Sequence, residues 1–188
     1  MLWQTFVEAL QSPLSSLNAS KTMLSKINFP RESILIAGLY MVLTSALIRL
    51  AMVAVVMFAY GVTPGGSLVF LPFFIFGLII CGFSIGMITI PVGGLYGDIS
   101  RVIPIVSQFW MLLTPVVYPA RTSGWLGWIS AWNPVAPLIG NARACLTNSP
   151  LEFVWHSVFV VLFSLVLALA GMVCFRLIIP HLIERMGG

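Results

Sequence analysis

Two residues of opposite charge, Asp98 and Arg101, stand three positions apart directly before an apolar segment. Residues at i and i+3 lie on the same face of a helix, so this carboxylate and guanidinium are spaced to form an ion pair. A carboxylate at a helix N-terminus also caps the first turn and interacts favourably with the helix dipole. The residues favour capping as the role of Asp98, and a relay of motion into the following segment is the alternative.

A single cation, Arg49, lies near the middle of the apolar segment 34–60. Insertion scales give a cost of about 2.5–3.5 kcal/mol for a cation at the centre of a bilayer, so the guanidinium requires a partner. Snorkelling, or pairing with Ser45 or with a neighbouring helix, is one solution. Because a lipid-facing Arg is the costliest arrangement, we favour a position on the wall of a conduit or at a subunit interface.

Six aromatic residues cluster in and after the later apolar segment: Phe109, Trp110, Tyr118, Trp125, Trp128 and Trp132. The last three recur at i, i+3 and i+7, so a helix places their indoles on one face. An aromatic face binds the C–H groups of a pyranose ring, which suggests a path for sugars. An interfacial aromatic belt explains the three tryptophans at least as well.

The surrounding composition indicates an integral membrane protein, since 60% of the residues are hydrophobic and 7% are charged, against about 25% charged in soluble domains. Nine Lys and Arg against five Asp and Glu give a net charge of +4. The basic residues are scattered singly, so no nucleic-acid partner is predicted. Cys81, Cys145 and Cys174 lie far apart without metal-ligand spacing, so no metal site is predicted either.

Segments 34–60, 67–90 and 154–179 reach the length of about 20 apolar residues that a spanning helix needs. Segment 102–118 is shorter and carries prolines near both ends, so we expect a fourth, bent span. Within 67–90, Gly82 and Gly86 stand four apart, a spacing that lets helices approach closely, and we interpret them as a packing site. The sequence predicts an all-α polytopic membrane protein with about four transmembrane helices.

Residues 121–150 predict a re-entrant or interfacial helical hairpin before the last span, because Asn133-Pro134 divides them into two pieces too short to cross. If this hairpin returns to the side from which it starts, six basic residues share one face: Lys21, Lys26, Arg31, Arg101, Arg176 and Arg185. Only Arg121 and Arg143 then lie opposite. By the positive-inside tendency the first face, with the C-terminus, is cytoplasmic.

Residues 1–33 predict a polar, partly helical cytoplasmic connector that follows a missing or truncated helix, with a short apolar face formed by Phe6, Val7 and Leu10. The first residues include no basic region followed by a long apolar core. A removable signal peptide is therefore not expected, and insertion relies on the internal segments.

Several short motifs occur in an order that resembles one known family. The N-terminal stretch contributes Trp3, Phe6, Glu8, Asn18, Leu24, Lys26 and residues 29–32, followed by a long apolar span. Residues 96–99 resemble an Arg-Asp-Ile segment, and residues 108–119 resemble a segment that ends Pro-Val-Ile-Tyr-Pro. Further matches are Asn133, Pro134, Arg143, Gly171, Phe175 and Arg176. In this order, over nearly the whole chain, they resemble bacterial type-2 ABC permeases that export polysaccharides.

The resemblance implies a single ABC-2 type membrane domain over 1–188, in the bacterial inner membrane. It implies a permease that moves O-antigen, capsular polysaccharide or teichoic acid on a lipid carrier. It implies two protein partners, a separate ATP-binding subunit that holds ATP and Mg²⁺ and a second permease copy, while this chain binds no cofactor itself. Two departures stand out: the usual N-terminal part is lacking, and Gly97 replaces the Arg that usually precedes Asp98.

Site residues follow from the same resemblance. Coupling to the ATPase is expected at Lys26, Phe29, Pro30, Arg31, Glu32, Asp98 and Arg101. The stretch 26–32 is short, polar and stiffened by Pro30, which suits a lever, whereas the residues alone allow an ordinary basic loop equally well. The conduit and substrate surface is expected at Arg49, Phe109, Trp110, Tyr118, Trp125, Trp128 and Trp132.

Three other functions remain open from the residues. A permease of this family can carry another substrate, such as a drug or a lipid. A membrane enzyme acting on lipid-linked sugars needs convergent titratable groups, and the chain offers His156, His181 and five carboxylates without a paired spacing inside a span. A structural or regulatory fragment is the third. No Gly-rich phosphate loop with Lys and Ser or Thr is present, so ATP hydrolysis is expected on a partner chain. We predict a transport subunit rather than an enzyme, with no catalytic residue.

Overall fold

The computed structural model describes residues 1–20, 32–61, 65–114 and 132–186, with the backbone alone for residues 95 and 180–186. The described residues form helices and no strand, which confirms the predicted all-α class. A short 3₁₀ helix, Gly66–Phe70, precedes the third helix. The α-helices are α1 (Leu2–Ala19), α2 (Glu32–Ala59), α3 (Leu71–Leu95), α4 (Ile99–Leu113), α5 (Val135–Thr147) and α6 (Val154–Met186).

Three helical segments are long and apolar enough to cross a membrane: Glu32–Ala59, Gly66–Gly94 and Val154–Ile179. They correspond to the three longer predicted spans, and the chain is a polytopic membrane protein. The predicted fourth span is represented by α4, which has 15 residues and a length of about 22 Å. Residues 115–118 of that prediction lie outside the described residues.

Helix α3 lies at the centre of the bundle. Its buried side chains are distributed around the whole helix, and Phe74, Leu78, Ile79 and Ile90 are at most 1% exposed. A helix that is apolar on every side is expected in this position, because all of its faces can be covered by neighbouring helices. Helices α1 and α6 pack along α3, and α5 packs against its first half.

The structure differs from the predicted connector over 1–33, because residues 2–19 form an 18-residue helix that packs along α3. Phe6, Leu10, Leu14 and Leu17 recur at one-turn spacing and are all buried. They align with the second half of a candidate span, so α1 lies at the depth of the spans rather than beside their ends. Helix α1 is not apolar enough to be a candidate span itself. Its apolar face is covered by this contact with α3.

Close approach of α1 and α3 depends on glycine. A Cβ atom at Gly82 would lie 2.5 Å from the backbone oxygen of Phe6, and one at Gly86 would overlap the backbone oxygen of Leu10. A backbone carbonyl cannot move aside as a flexible side chain does. The predicted packing role of Gly82 and Gly86 is confirmed, and it fixes α1 parallel to α3.

One end of the bundle, here called the charged end, carries Glu32, Asp98, Arg101 and Arg176. Helix α2 runs antiparallel to α1, since Gly38 meets Ser12 and Ser16 while Arg49 meets Thr5. The start of α2 and the end of α3 therefore share this end. Beneath it lies an apolar cluster from four helices: Leu17, Ile34, Leu35, Phe83, Met87, Ile90, Phe175 and Ile179.

Helix α5 is the second limb of the predicted hairpin, and it is buried among the spans. Its residues Val135, Leu138 and Cys145 are fully buried. A Cβ atom at Gly77 of α3 would lie 2.9 Å from a methyl group of Leu138, so α5 occupies the depth of the first half of α3. This position favours the re-entrant interpretation for α5. The first limb, residues 121–131, lies outside the described residues.

Candidate functional site

Arg49 is paired across helices at the depth of the bundle. Its Nη2 lies 2.5 Å from Oε2 of Glu8, and its Nη1 donates a hydrogen bond to the hydroxyl of Thr5 at 3.3 Å. The side chains of Arg49 and Glu8 remain 25% and 33% exposed. We call Glu8 and Arg49 the deep pair. The structure realises pairing with a neighbouring helix, and the conduit role of Arg49 stays a prediction.

Glu8 was not among the residues expected at this site. The sequence did contain a signal for this pair. Glu8 is the one carboxylate of an otherwise uncharged helix, Arg49 is the one guanidinium within the next, and an uncompensated charge at this depth is costly. What the sequence did not supply is the antiparallel alignment that brings residue 8 to residue 49. That alignment follows from the packing of α1 on α2.

A second pair joins two helices at the charged end. Nη2 of Arg176 in α6 lies 2.6 Å from Oε1 of Glu32, the first residue of α2, and their side chains are 63% and 39% exposed. We call Glu32 and Arg176 the bridging pair. Glu32 was predicted to couple to an ATPase, and the structure assigns it a partner within the chain.

Asp98 and Arg101 form the predicted i, i+3 contact, with Nη1 and Oδ1 3.8 Å apart and both side chains more than 80% exposed. Asp98 occupies the N-cap position of α4, but its side chain makes no capping hydrogen bond. The favoured capping role is therefore wrong in this respect, because the carboxylate is directed to solvent and Arg101. The relay role of both residues stays a prediction.

The aromatic residues predicted to line a sugar path separate into different surroundings. Phe109 is 66% exposed, and Trp132 is 76% exposed. Trp110 instead packs edge-on against Phe6 at 5.3 Å and Trp3 at 6.4 Å between ring centroids. Trp110 thus holds α4 against α1, whereas Phe109 lies on the open face of α4.

Buried amides connect α5 to the elements before and after it. The side-chain nitrogen of Asn133 donates to the hydroxyl of Thr114 at 2.7 Å, and its oxygen accepts from the backbone N–H of Val135 at 3.1 Å. Asn141 donates to Ser157 at 2.9 Å. Asn133 therefore starts α5 and joins it to the end of α4, so the predicted break at Asn133-Pro134 is a structured corner. Thr114 and Ser157 were missed, because their sequence surroundings are unremarkable for apolar helices.

Seven predicted site residues lie outside the described residues: Lys26, Phe29, Pro30, Arg31, Tyr118, Trp125 and Trp128. Those of the coupling set that are described, Glu32, Asp98 and Arg101, lie at the charged end. Within the described part of the chain no three His, Cys, Asp or Glu side chains come together as a metal-binding group.

The fold defines a helical membrane protein with a central apolar helix and a short, buried helix, α5, packed beside it. A family model described as ABC-2 type transporter matches residues 1–147, and the chain belongs to this family.

Two curated relatives, both O-antigen export system permease protein RfbA from Klebsiella pneumoniae, are similar to most of the chain. One is 26% identical over 162 residues, which cover 83% of this chain and 61% of the relative. The other is 24% identical over 180 residues, which cover 93% of this chain and 68% of the relative. The chain thus spans about three fifths of the first relative and about two thirds of the second.

Proposed function

We propose that this chain is the permease part of an ABC exporter that moves a lipid-linked polysaccharide across the bacterial inner membrane. The similarity to two O-antigen export permeases over more than four fifths of the chain carries the proposal. Under this proposal the charged end faces the cytoplasm. A separate subunit there binds ATP and Mg²⁺, and a second permease copy completes the path.

Residues 26–32, Asp98 and Arg101 are the proposed contact with that subunit. Glu32, Asp98 and Arg101 share one end of the bundle, so a partner docked there would reach them together. Closure of the ATPases on ATP would displace residues 26–31 and, through Asp98 and Arg101, tilt α4. These three side chains are accessible to a partner, since between 39% and 92% of their surface is exposed to solvent.

The proposed substrate path passes the open face of α4, where Phe109 presents its ring, together with Tyr118, Trp125, Trp128 and Trp132. Pyranose C–H groups stack on such rings without requiring charge. Arg49 contributes less to anion recognition than its type alone suggests. Glu8 at 2.5 Å neutralises its charge, so a phosphate group would have to displace a carboxylate.

The proposal is tested by expressing the tagged chain with and without a candidate ABC ATP-binding subunit from the same genome, then measuring co-purification and polysaccharide at the cell surface. Co-purification with ATP-dependent surface display supports it. Failure of the two chains to associate would contradict it. Export of a drug or a lipid instead of polysaccharide would assign another substrate, and turnover of a lipid-linked sugar by this chain alone would favour an enzyme.

A further inference from the structure

The bridging pair joins two helices whose backbones do not come close to one another in the described part of the chain. Helix α2 packs mainly on α1, and α6 packs mainly on α3. Glu32 and Arg176 nevertheless meet at 2.6 Å across the gap at the charged end. The pair is therefore a direct contact between two separately supported helices.

This contact is poorly suited to holding the fold together. Its side chains are 39% and 63% exposed, and exposed ion pairs contribute little net stability because water competes for both charges. The apolar cluster beneath it, which includes Ile34, Phe83 and Phe175, already attaches both helices to α1 and α3. A weak contact of this kind can open without disturbing the core.

Opening of the bridging pair matters because of where Glu32 lies in the chain. Glu32 is the first residue of α2 and directly follows residues 26–31, the segment proposed above to contact the ATPase. Any displacement of that segment moves Glu32 before it moves the rest of α2. Until the pair opens, Arg176 passes this displacement to the last helix, α6.

We infer that Arg176 is a further positioning residue for coupling, which acts through Glu32 and releases it during each transport cycle. This inference rests on the proposed function. It adds α6 to the moving parts, so that ATP-driven motion reaches the last helix through the bridging pair as well as α4 through Asp98 and Arg101.

The first test measures polysaccharide exported per ATP hydrolysed by the full chain in complex with its ATPase. Glu32→Gln and Arg176→Gln should each lower this ratio by up to about fivefold, the factor that corresponds to about 1 kcal/mol for an exposed ion pair, while hydrolysis and co-purification persist. Exchanging the charges, Glu32→Arg with Arg176→Glu, should recover at least about half of the ratio. Glu152→Gln, an exposed carboxylate just before α6 at the opposite end, is the matched control.

The second test follows the distance between the two positions. Cys replaces Glu32 and Arg176 in a chain with Cys174→Ser, because Cys174 is exposed two residues away, whereas Cys81 and Cys145 are buried. A flexible bis-maleimide is used rather than a disulfide, since the helix backbones are too far apart for an S–S bond. Cross-linking should slow when a non-hydrolysable ATP analogue is bound to the complex.

The outcomes separate the two proposals. Loss of ATPase association in the unmodified chain contradicts the proposed function and, with it, this inference. If the unmodified complex exports normally, unchanged ratios in both single variants, or cross-linking that ignores the nucleotide, overturn the inference alone. Should a single variant lose association, recovery in the charge exchange supports the pair, and absence of recovery counts against it.

Discussion

Among the described residues, two ion pairs connect α2 to other helices, and their surroundings are opposite. The deep pair, Glu8 and Arg49, joins α2 to α1 where these helices pack closely along their length. The bridging pair, Glu32 and Arg176, joins α2 to α6 where the backbones stay apart. The same chemistry therefore joins closely packed helices in one place and, as inferred above, forms a releasable contact in the other, because neighbouring packing and water decide what an ion pair contributes.

The largest loss of stability is expected where α1, the helix that carries Glu8 of the deep pair, packs on Gly86 of α3. Gly86→Leu places a side chain against the backbone oxygen of Leu10, which cannot yield, and we expect a loss of at least about 3 kcal/mol, the upper range for overpacking. The folded fraction in detergent, measured by size-exclusion chromatography after heating, should fall sharply.

Gly140→Ala is the matched control for Gly86→Leu, since nothing lies within 4 Å of a Cβ atom at that position of α5. Alanine is the better helix former by about 1 kcal/mol, so this variant should be as stable as the original or more so. Equal losses in both variants would refute the packing explanation.

Neutralising one member of the deep pair should be the next largest effect. Glu8→Gln or Arg49→Gln leaves the other charge without compensation, which costs about 2 kcal/mol here, less than the 3–5 kcal/mol of a fully buried pair. The double variant should lose less than the sum of the single losses. The midpoint of thermal inactivation in detergent measures all three, and strictly additive losses would show that the two charges do not interact.

Neutralising the bridging pair should affect stability less. Glu32→Gln or Arg176→Gln is expected to cost below about 1 kcal/mol, because both groups are partly hydrated before and after the change. The same thermal assay in low and high salt checks this, since salt should remove most of the small difference. A loss as large as that of Glu8→Gln would identify the bridging pair as structural and weaken its proposed release.

Asp98→Asn should have the smallest effect on stability of the four. The residue is almost fully exposed, its ion pair in the described part of the chain is the 3.8 Å contact with Arg101, and Asn is an equally good N-cap residue. Thermal inactivation should be unchanged within error, so that any loss of export in this variant reports coupling. A clear loss of stability would point to a contact that Asp98 makes elsewhere.

Much of the fold was predictable because long apolar segments with few charged residues directly indicate membrane helices. Segments 34–60, 67–90 and 154–179 all reappear as candidate spans, and the break before Val135 is present. Helix α1 was not predictable as a buried helix, since its 18 residues include polar serines, of which Ser12 and Ser16 lie against Gly38 of α2.

The sequence predicted which charged residues matter at the candidate site but not which residues they pair with. The sequence singled out Arg49 as a cation that needs a partner and Glu32 as a charge beside a mechanical segment. It did not identify Glu8 or Arg176 as their partners, because each pair joins residues far apart in the chain and periodicity describes only one helix at a time. Asp98 shows the reverse case, where a local rule predicted a cap that the carboxylate does not form.

By itself the sequence determined that this is a polytopic helical membrane protein, with three long spans and small residues at Gly82 and Gly86. Composition and segment length suffice for this, because the bilayer imposes one length and one polarity on every spanning helix. The tertiary structure alone decided that α1 lies among the spans, that Glu8 neutralises Arg49, and that Arg176 reaches Glu32. Those contacts depend on how helices align in space, and alignment is set by packing between surfaces rather than by any one segment.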